Sequence, residues 1–205
     1  MAEPTPKELF DQGKEIFNFA VSGGGGTFRG DSLEAKKYYI QAKEYFEKAC
    51  DLKYGGGCGA LGDLYDDVEK NLIKAAQLYT KACELKEGVG CKRLWSLYYY
   101  GRGVEKNLIK AAQYASKACD LNNGSGCGTL GFLYGMGKGV EKDLTKAAYL
   151  YSKACDLKEG MGCGNLGVLY YNGDGVKRDS KKADQYFSKA CKLGSQEACE
   201  ALKEK

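Results

Sequence analysis

Two kinds of amphipathic segment alternate along the chain, and each returns with a period near 36 residues. The first kind has small apolar residues at helical spacing, as at Ala111, Ala115 and Ala118. The second kind places a leucine and a tyrosine four residues apart, as at Leu130 and Tyr134. Apolar positions three or four residues apart form one face of an α-helix. The pattern therefore predicts alternating helices, each with one buried face.

The predicted helices have recognisable ends. An asparagine or aspartate that can cap free backbone N–H groups stands just before each alanine-rich helix, at Asn71, Asn107, Asp143 and Asp179. Gly-x-Gly turns end the leucine–tyrosine helices at residues 101–103, 137–139 and 173–175. A fixed period of this length is typical of a solenoid, in which helix pairs stack because none buries its apolar face alone. We therefore predict an all-α fold, an α/α superhelical solenoid of helix pairs.

The repeat period divides residues 1–205, which we expect to form a single repeat domain. Residues 1–50 are predicted to form an atypical first helix pair, with a glycine-rich insertion at 21–32. Four repeats and a C-terminal capping helix follow, at residues 51–86, 87–122, 123–158, 159–194 and 195–205.

One repeat departs from the pattern at Trp95, where the other repeats have Gly62, Gly131 and Gly167. Glycine at this position lets a neighbouring helix approach closely, and an indole does not. Either the neighbouring helix shifts to admit Trp95, or Trp95 marks a rotated helix face. We favour the shift.

Ten cysteines form five pairs, and the partners in each pair are eight positions apart. An even number in regular pairs indicates disulfides and an oxidising compartment. A zinc site is disfavoured because its usual closely spaced cysteine knuckles are absent from the sequence. Each predicted bond joins the end of one helix to the start of the next: Cys50–Cys58, Cys83–Cys91, Cys119–Cys127, Cys155–Cys163 and Cys191–Cys199.

Composition removes several function classes. The sequence has no histidine, so Ser-His-Asp and Cys-His catalysis and histidine-based metal sites are excluded. The net charge is +4, with lysines interleaved among acidic residues, which gives no support for nucleic-acid binding. No apolar run approaches the roughly 20 residues of a membrane-spanning helix. We expect no metal ion and no other cofactor.

The recurring motifs Leu-Gly-x-Leu-Tyr, Gly-x-Gly-Val, Lys-Ala-Ala and Ser-Lys-Ala-Cys resemble those of the Sel1-like repeat family. The cysteine pairs resemble, more narrowly, the Helicobacter cysteine-rich proteins. The resemblance covers residues 36–205 well and residues 2–17 loosely. It implies an exported, disulfide-linked solenoid related to tetratricopeptide arrays. Family members are described as penicillin-binding proteins or β-lactamase candidates, and as secreted proteins that meet the host.

The β-lactamase description has little support in the residues themselves. Serine enzymes of that class use Ser-x-x-Lys together with Ser-Asp-Asn and Lys-Thr-Gly, and none of these motifs occurs here. The corresponding zinc enzymes need histidines. We therefore predict no catalytic residue. Binding of penicillin or of cell-wall muropeptides, with at most weak hydrolysis, is the alternative that the family implies.

Divergence between repeats indicates where a partner binds. Positions two, five and nine after the second cysteine of each pair share one helix face, and there the repeats differ. We predict that this face lines a groove for a peptide or protein, with Arg93 and Asn165 as polar anchors. The predicted binding residues are Asp63, Arg93, Ser96, Tyr99, Tyr100, Thr129, Phe132, Asn165, Val168, Tyr171 and Asn172. The competing interpretation is that these positions are merely exposed to solvent, so their residue types vary without a role in binding.

The expected location follows from the cysteines. The sequence begins Met1-Ala2-Glu3-Pro4, without the basic and apolar regions of a signal peptide. We expect a mature secreted or periplasmic protein and a monomer. Its partner would be a host protein, a protein of the bacterial envelope, a cell-wall fragment or a β-lactam.

Overall fold

The computed structural model describes residues 3–27 and 29–203. These residues form helices and no strands, which confirms the all-α prediction. In chain order the helices are α1 (Pro6–Val21), α2 (Gly23–Gly26), α3 (Leu33–Asp51), α4 (Gly55–Asp67), α5 (Leu72–Glu84), α6 (Gly88–Tyr100), α7 (Leu108–Asp120), α8 (Gly124–Met136), α9 (Leu144–Asp156), α10 (Gly160–Asn172), α11 (Ser180–Lys192) and α12 (Gln196–Lys203).

The chain forms two compact units. Unit 1 comprises Met1–Gly90 and Arg102–Val104, and unit 2 comprises Cys91–Gly101 and Glu105–Lys205. In unit 1, α3 packs against α1 and α4, and α4 packs against α5. In unit 2, each helix from α8 to α11 packs against the helix before it and the helix after it. This sequential packing is the arrangement of a repeat solenoid.

The predicted caps and turns are present. The side chains of Asn71, Asn107, Asp143 and Asp179 each accept a hydrogen bond from the backbone N–H three residues on. Gly137 and Gly173 end α8 and α10 in the left-handed conformation, with φ of 65° and 83°. A side chain at Gly139 would collide with the carbonyl of Leu108. The turns therefore need glycine both for conformation and for close packing.

Disulfides join consecutive helices across their short connections. The bonds are Cys50–Cys58, Cys119–Cys127, Cys155–Cys163 and Cys191–Cys199. Cys83 and Cys91 are disulfide-bonded as well, and no cysteine within the described residues is free. Because such bonds persist in oxidising compartments, ten bonded cysteines are typical of a protein that functions outside the cytoplasm.

The first helix pair differs from the repeats. Its glycine-rich connection contains α2, in which all four glycines have positive φ. The hydroxyl of Thr27 donates to the carbonyl oxygen of Gly24 at 3.0 Å, which closes the turn. Ser32 then caps α3, because its hydroxyl accepts from the N–H of Ala35 at 3.1 Å.

Candidate functional site

A small cavity in unit 2 is lined by five of the eleven predicted groove residues. We call it the unit 2 cavity. It has a volume of about 220 Å³. Its walls come from α6, α8 and α10 and from the residue before α10: Trp95, Tyr99, Tyr100, Ser125, Gly128, Thr129, Phe132, Glu159, Met161 and Asn165. This volume suits one large side chain better than a whole cofactor or drug-sized molecule.

Aromatic rings form one wall of the unit 2 cavity. The Trp95 ring centroid lies 5.5 Å from that of Tyr99 and 6.4 Å from that of Tyr100. Lys138 supports this wall: its ammonium group donates to the Tyr99 hydroxyl at 2.8 Å and lies 5.5 Å from the centre of the Phe132 ring. The wall is therefore held by edge contacts between rings and by one cation.

The helix after Trp95 has a small residue, Ala115, at the position where other repeats have a ring. Trp95 packs with a cluster that contains the fully buried Ala115 of α7. Twenty residues after Gly131 and Gly167 the chain instead has Tyr151 and Phe187. These rings lie against the glycines so closely that a Cβ atom would be 2.9 Å away.

The helix that carries Trp95 keeps the orientation of the other repeats. Leu94 and Leu97 are almost fully buried, as are the matching Leu130 and Leu133 of α8. The interpretation that Trp95 marks a rotated face is therefore wrong. The indole N–H of Trp95 is buried and finds no hydrogen-bond acceptor among the residues that the structure describes.

The remaining walls of the unit 2 cavity are polar. Asn165 projects from α10 as an exposed residue, and Thr129 and Ser125 project from α8 as half-buried residues. Glu159 stands at the N-cap of α10, but its side chain makes no capping hydrogen bond. An amide and two hydroxyls offer donors and acceptors of the kind that a peptide backbone requires.

Several predicted groove residues lie on the same helices but outside the cavity lining. Arg93 and Ser96 are half-buried on α6. Val168 and Tyr171 are exposed on α10, and the guanidinium of Arg178 lies 5.9 Å from the Tyr171 ring centre. Asn172, also exposed, donates to the carboxylate of Asp174 at 3.1 Å. These residues remain predictions.

Asp63 lines a separate cavity, which lies in unit 1. We call it the unit 1 cavity. It measures about 340 Å³ and includes the rings of Phe10 and Phe17 from α1. Asp63 accepts a hydrogen bond from the Tyr79 hydroxyl at 2.7 Å. The sequence reasoning missed the two phenylalanines, although their spacing of seven residues places them on one face of α1.

The recurring tyrosines are structural. Tyr65 is buried, and Tyr98 stacks on Tyr114 with ring centres 5.4 Å apart. A lysine ammonium from the following helix lies about 5 Å from the centre of each recurring ring, in the pairs Lys74–Tyr65, Lys110–Tyr98, Lys146–Tyr134 and Lys182–Tyr170. The rings are therefore covered by the protein itself and do not form a ligand platform.

The described part of the chain has no group of three or more acidic or cysteine side chains arranged to hold a metal ion. No helix in that part has both the length and the apolar character needed to cross a membrane.

Comparison with known proteins gives consistent results. The Sel1 repeat model matches residues 21–54, 57–87, 89–123, 129–159 and 161–195. A solved Sel1 repeat protein from Oxalobacter formigenes covers 95% of this chain with a TM-score of 0.79 and 23% identity, and 75% of that protein is covered. This likeness shows the fold alone.

The Helicobacter pylori proteins are more similar in sequence. Cysteine rich protein B (hcpB) is 48% identical over 67% of this chain and 99% of its own, with a TM-score of 0.54. HcpC, whose name marks it as a candidate beta-lactamase, is 48% identical over 65 residues, or 32% of this chain. The match spans only 17% of HcpC. Because the five model matches cover most of the sequence, the chain belongs to the Sel1 repeat family.

Proposed function

We propose that this protein is an exported repeat scaffold that binds an extended segment of a partner protein in the unit 2 cavity. The observation that carries the proposal is the convergence of five predicted residues on one cavity: Tyr99, Tyr100, Thr129, Phe132 and Asn165. The competing interpretation is that residue types at these exposed positions vary without a role. It gives no reason for residues from three helices to line the same cavity.

The chemistry of the unit 2 cavity favours a peptide. Tyrosine and tryptophan are the residues that most often anchor protein interfaces, because they bury much area and keep a polar group available. Asn165 is exposed on α10, so its amide is accessible to a peptide backbone. One side chain of the partner would fill the cavity, and its backbone would run past Asn165.

Unit 1 supplies a second candidate contact surface. The unit 1 cavity is larger and also has aromatic walls, and Asp63 and Ala60 lie in it at predicted groove positions. A partner could use either cavity, so the proposal for unit 2 does not depend on unit 1. The disulfides support a secreted or periplasmic location, which makes a host protein or an envelope protein the expected partner.

The test uses the only tryptophan of the sequence, Trp95, as a reporter inside the site. Short random peptides displayed on phage are selected on the oxidised protein, and the selected peptides are synthesised and titrated by tryptophan fluorescence. We expect saturable binding that Asn165→Ala weakens about tenfold, the loss of one or two good hydrogen bonds. Asn172→Ala is the matched control, since that amide lies on the same helix outside the cavity. If no peptide is selected, or if Asn165→Ala binds as well as the control, the proposal is wrong.

The alternative of β-lactam binding is tested in the same material. The motifs of serine β-lactamases are absent from the sequence, so we expect turnover of a chromogenic cephalosporin below about 1 s⁻¹, the low end of ordinary enzymes. Saturable penicillin binding that quenches Trp95 and is lost in Asn165→Ala would favour the alternative over a peptide.

A further inference from the structure

We infer that the unit 2 cavity selects a large apolar side chain that is adjacent to a basic residue, and that Glu159 makes this selection. The inference rests on the proposed function and names the class of peptide that the site would bind. It depends on where the charges of unit 2 lie around the cavity.

The Glu159 side chain lines the cavity and does not cap its helix. It precedes α10, at the repeat position where Asn123 precedes α8. The Asn123 side chain caps its helix by accepting from the N–H of Gly126 at 2.8 Å. The Glu159 side chain makes no such bond, and within the described residues its carboxylate has no ion pair. A carboxylate without a cationic partner at the rim of an apolar cavity attracts a cation from the ligand.

Two glycines direct the Glu159 side chain toward α8. Its Cβ and Cγ atoms lie next to Gly124 and Gly128, where a Cβ atom on either glycine would be 3.3 Å and 3.9 Å away. Gly128 itself lines the cavity. The Glu159 side chain therefore starts out beside the first turns of α8, next to the cavity residue Gly128.

A cation that contacts the aromatic wall is already engaged. Lys138 follows the C-terminal end of α8, and its ammonium bonds to the Tyr99 hydroxyl and faces the Phe132 ring. Phe132 is one helical turn from Gly128, about 6 Å along the axis. Lys138 therefore lies beside Tyr99 and Phe132, whereas Glu159 lies beside Gly124 and Gly128 and belongs to the cavity lining.

Unit 1 shows the same combination independently. Glu87 occupies the repeat position of Glu159, four residues before a cysteine, and it lines the unit 1 cavity together with aromatic rings. Val89 in unit 1 and Met161 in unit 2 supply an apolar neighbour two residues on. A glutamate beside aromatic and apolar walls is therefore a feature of both cavities.

The ligand that fits is an extended peptide with a bulky apolar residue next to lysine or arginine. The apolar side chain would fill the space between Trp95 and Met161. The basic group would pair with the Glu159 carboxylate through a charge-assisted hydrogen bond.

The test compares peptide preferences of three forms of the oxidised full-length protein. Phage-displayed random peptides are selected on the wild type, on Glu159→Lys and on Glu141→Lys. Glu141 is an exposed glutamate of unit 2 outside the cavity lining, so its substitution makes the same change in net charge. Synthetic pairs that differ only in lysine or glutamate beside the apolar residue are then titrated by Trp95 fluorescence.

We expect the wild type and Glu141→Lys to prefer the lysine peptide about tenfold, and Glu159→Lys to prefer the glutamate peptide. If apolar peptides bind all three forms with the same charge preference, or with none, the inference is overturned while the proposed function stands. If no form selects any peptide, the proposed function is overturned and the inference with it.

Discussion

Two helix junctions in unit 2 solve the same packing problem in opposite ways. Where α8 meets α9, Gly131 makes room for the buried ring of Tyr151. At the matching positions of α6 and α7 the residue sizes are exchanged: Trp95 is the ring, Ala115 is the small residue, and Trp95 packs against the cluster that contains Ala115. In each junction one helix contributes a large ring and the other a small residue.

The helix that carries the large ring determines whether that ring also lines the unit 2 cavity. Tyr151 belongs to an alanine-rich helix, and its ring is buried within the core. Trp95 belongs to a leucine–tyrosine helix, so its ring packs in the core and also lines the unit 2 cavity. Exchanging large and small residues across a junction therefore changes the binding surface without changing the fold.

Trp95→Gly should have the largest effect, because it gives α6 the glycine of α8 without the ring that fills the junction. We expect a loss of about 4 kcal/mol in the free energy of unfolding, from the emptied space and the low helix propensity of glycine. Urea unfolding of the oxidised protein, followed by circular dichroism, measures the loss. A change below about 1 kcal/mol would contradict the view that Trp95 fills the junction.

Gly131→Trp is the opposite change, since it adds a second ring to the α8–α9 junction, which already contains the ring of Tyr151. A Cβ atom at Gly131 would lie 2.9 Å from the Tyr151 ring and 3.3 Å from the carbonyl oxygen of Ala147. We expect a destabilisation of about 3 kcal/mol from overpacking. Gly131→Trp combined with Tyr151→Ala should recover part of it, and equal stability of the single and double variants would show that the two positions do not share the space.

A double substitution at the α6–α7 junction separates stability from binding, because it restores the glycine and the ring in the positions that the other repeats use. Trp95→Gly with Ala115→Tyr should regain about 2 kcal/mol over Trp95→Gly alone, because the tyrosine fills the emptied room. The cavity would still lack its indole wall, so peptide affinity, measured by calorimetry, should stay weak. Recovery of both stability and affinity would show that the indole has no part in binding.

Much of this fold could be predicted because each signal was local. The cap at Asn107, the turn at Gly137 and the bond between Cys119 and Cys127 each depend on residues within one or two helical turns. The period then repeated these local rules along the chain. Burial of the leucines after each cysteine followed from the same spacing.

The cavity depended on contacts that spacing alone does not give. The helical pattern placed Thr129 and Asn165 on suitable faces, but it could not say that Val168 lies outside the lining. Glu159 was missed because it precedes its helix and breaks no helical pattern. The sequence did contain a sign of how Trp95 packs, because Ala115 stands where other repeats have an aromatic residue. Finding it required a comparison of positions twenty residues apart.

The last expected effect is a difference in alkaline stability between the two junctions. Burial raises the pKa of Tyr151 from 10.0 to about 12. The folded protein therefore holds this proton more tightly than the unfolded chain, so the contribution of Tyr151 to stability is fully present below pH 10.0 and falls as the pH rises through about 12. Ala115 brings no such group to the other junction.

Tyr151→Phe should make the free energy of unfolding fall less steeply with pH between 10.0 and about 12. Urea unfolding of the oxidised protein across that window measures the slope relative to the wild type. Tyr149→Phe is the matched control, because Tyr149 is on the same helix with 70% of its surface exposed, and its slope should equal that of the wild type. The other tyrosines are common to the wild type and Tyr151→Phe, so the difference in slope isolates Tyr151. Equal slopes for Tyr151→Phe and Tyr149→Phe would mean that the phenol at the α8–α9 junction is not shielded from water, and that its ring does not fill the junction as Trp95 does.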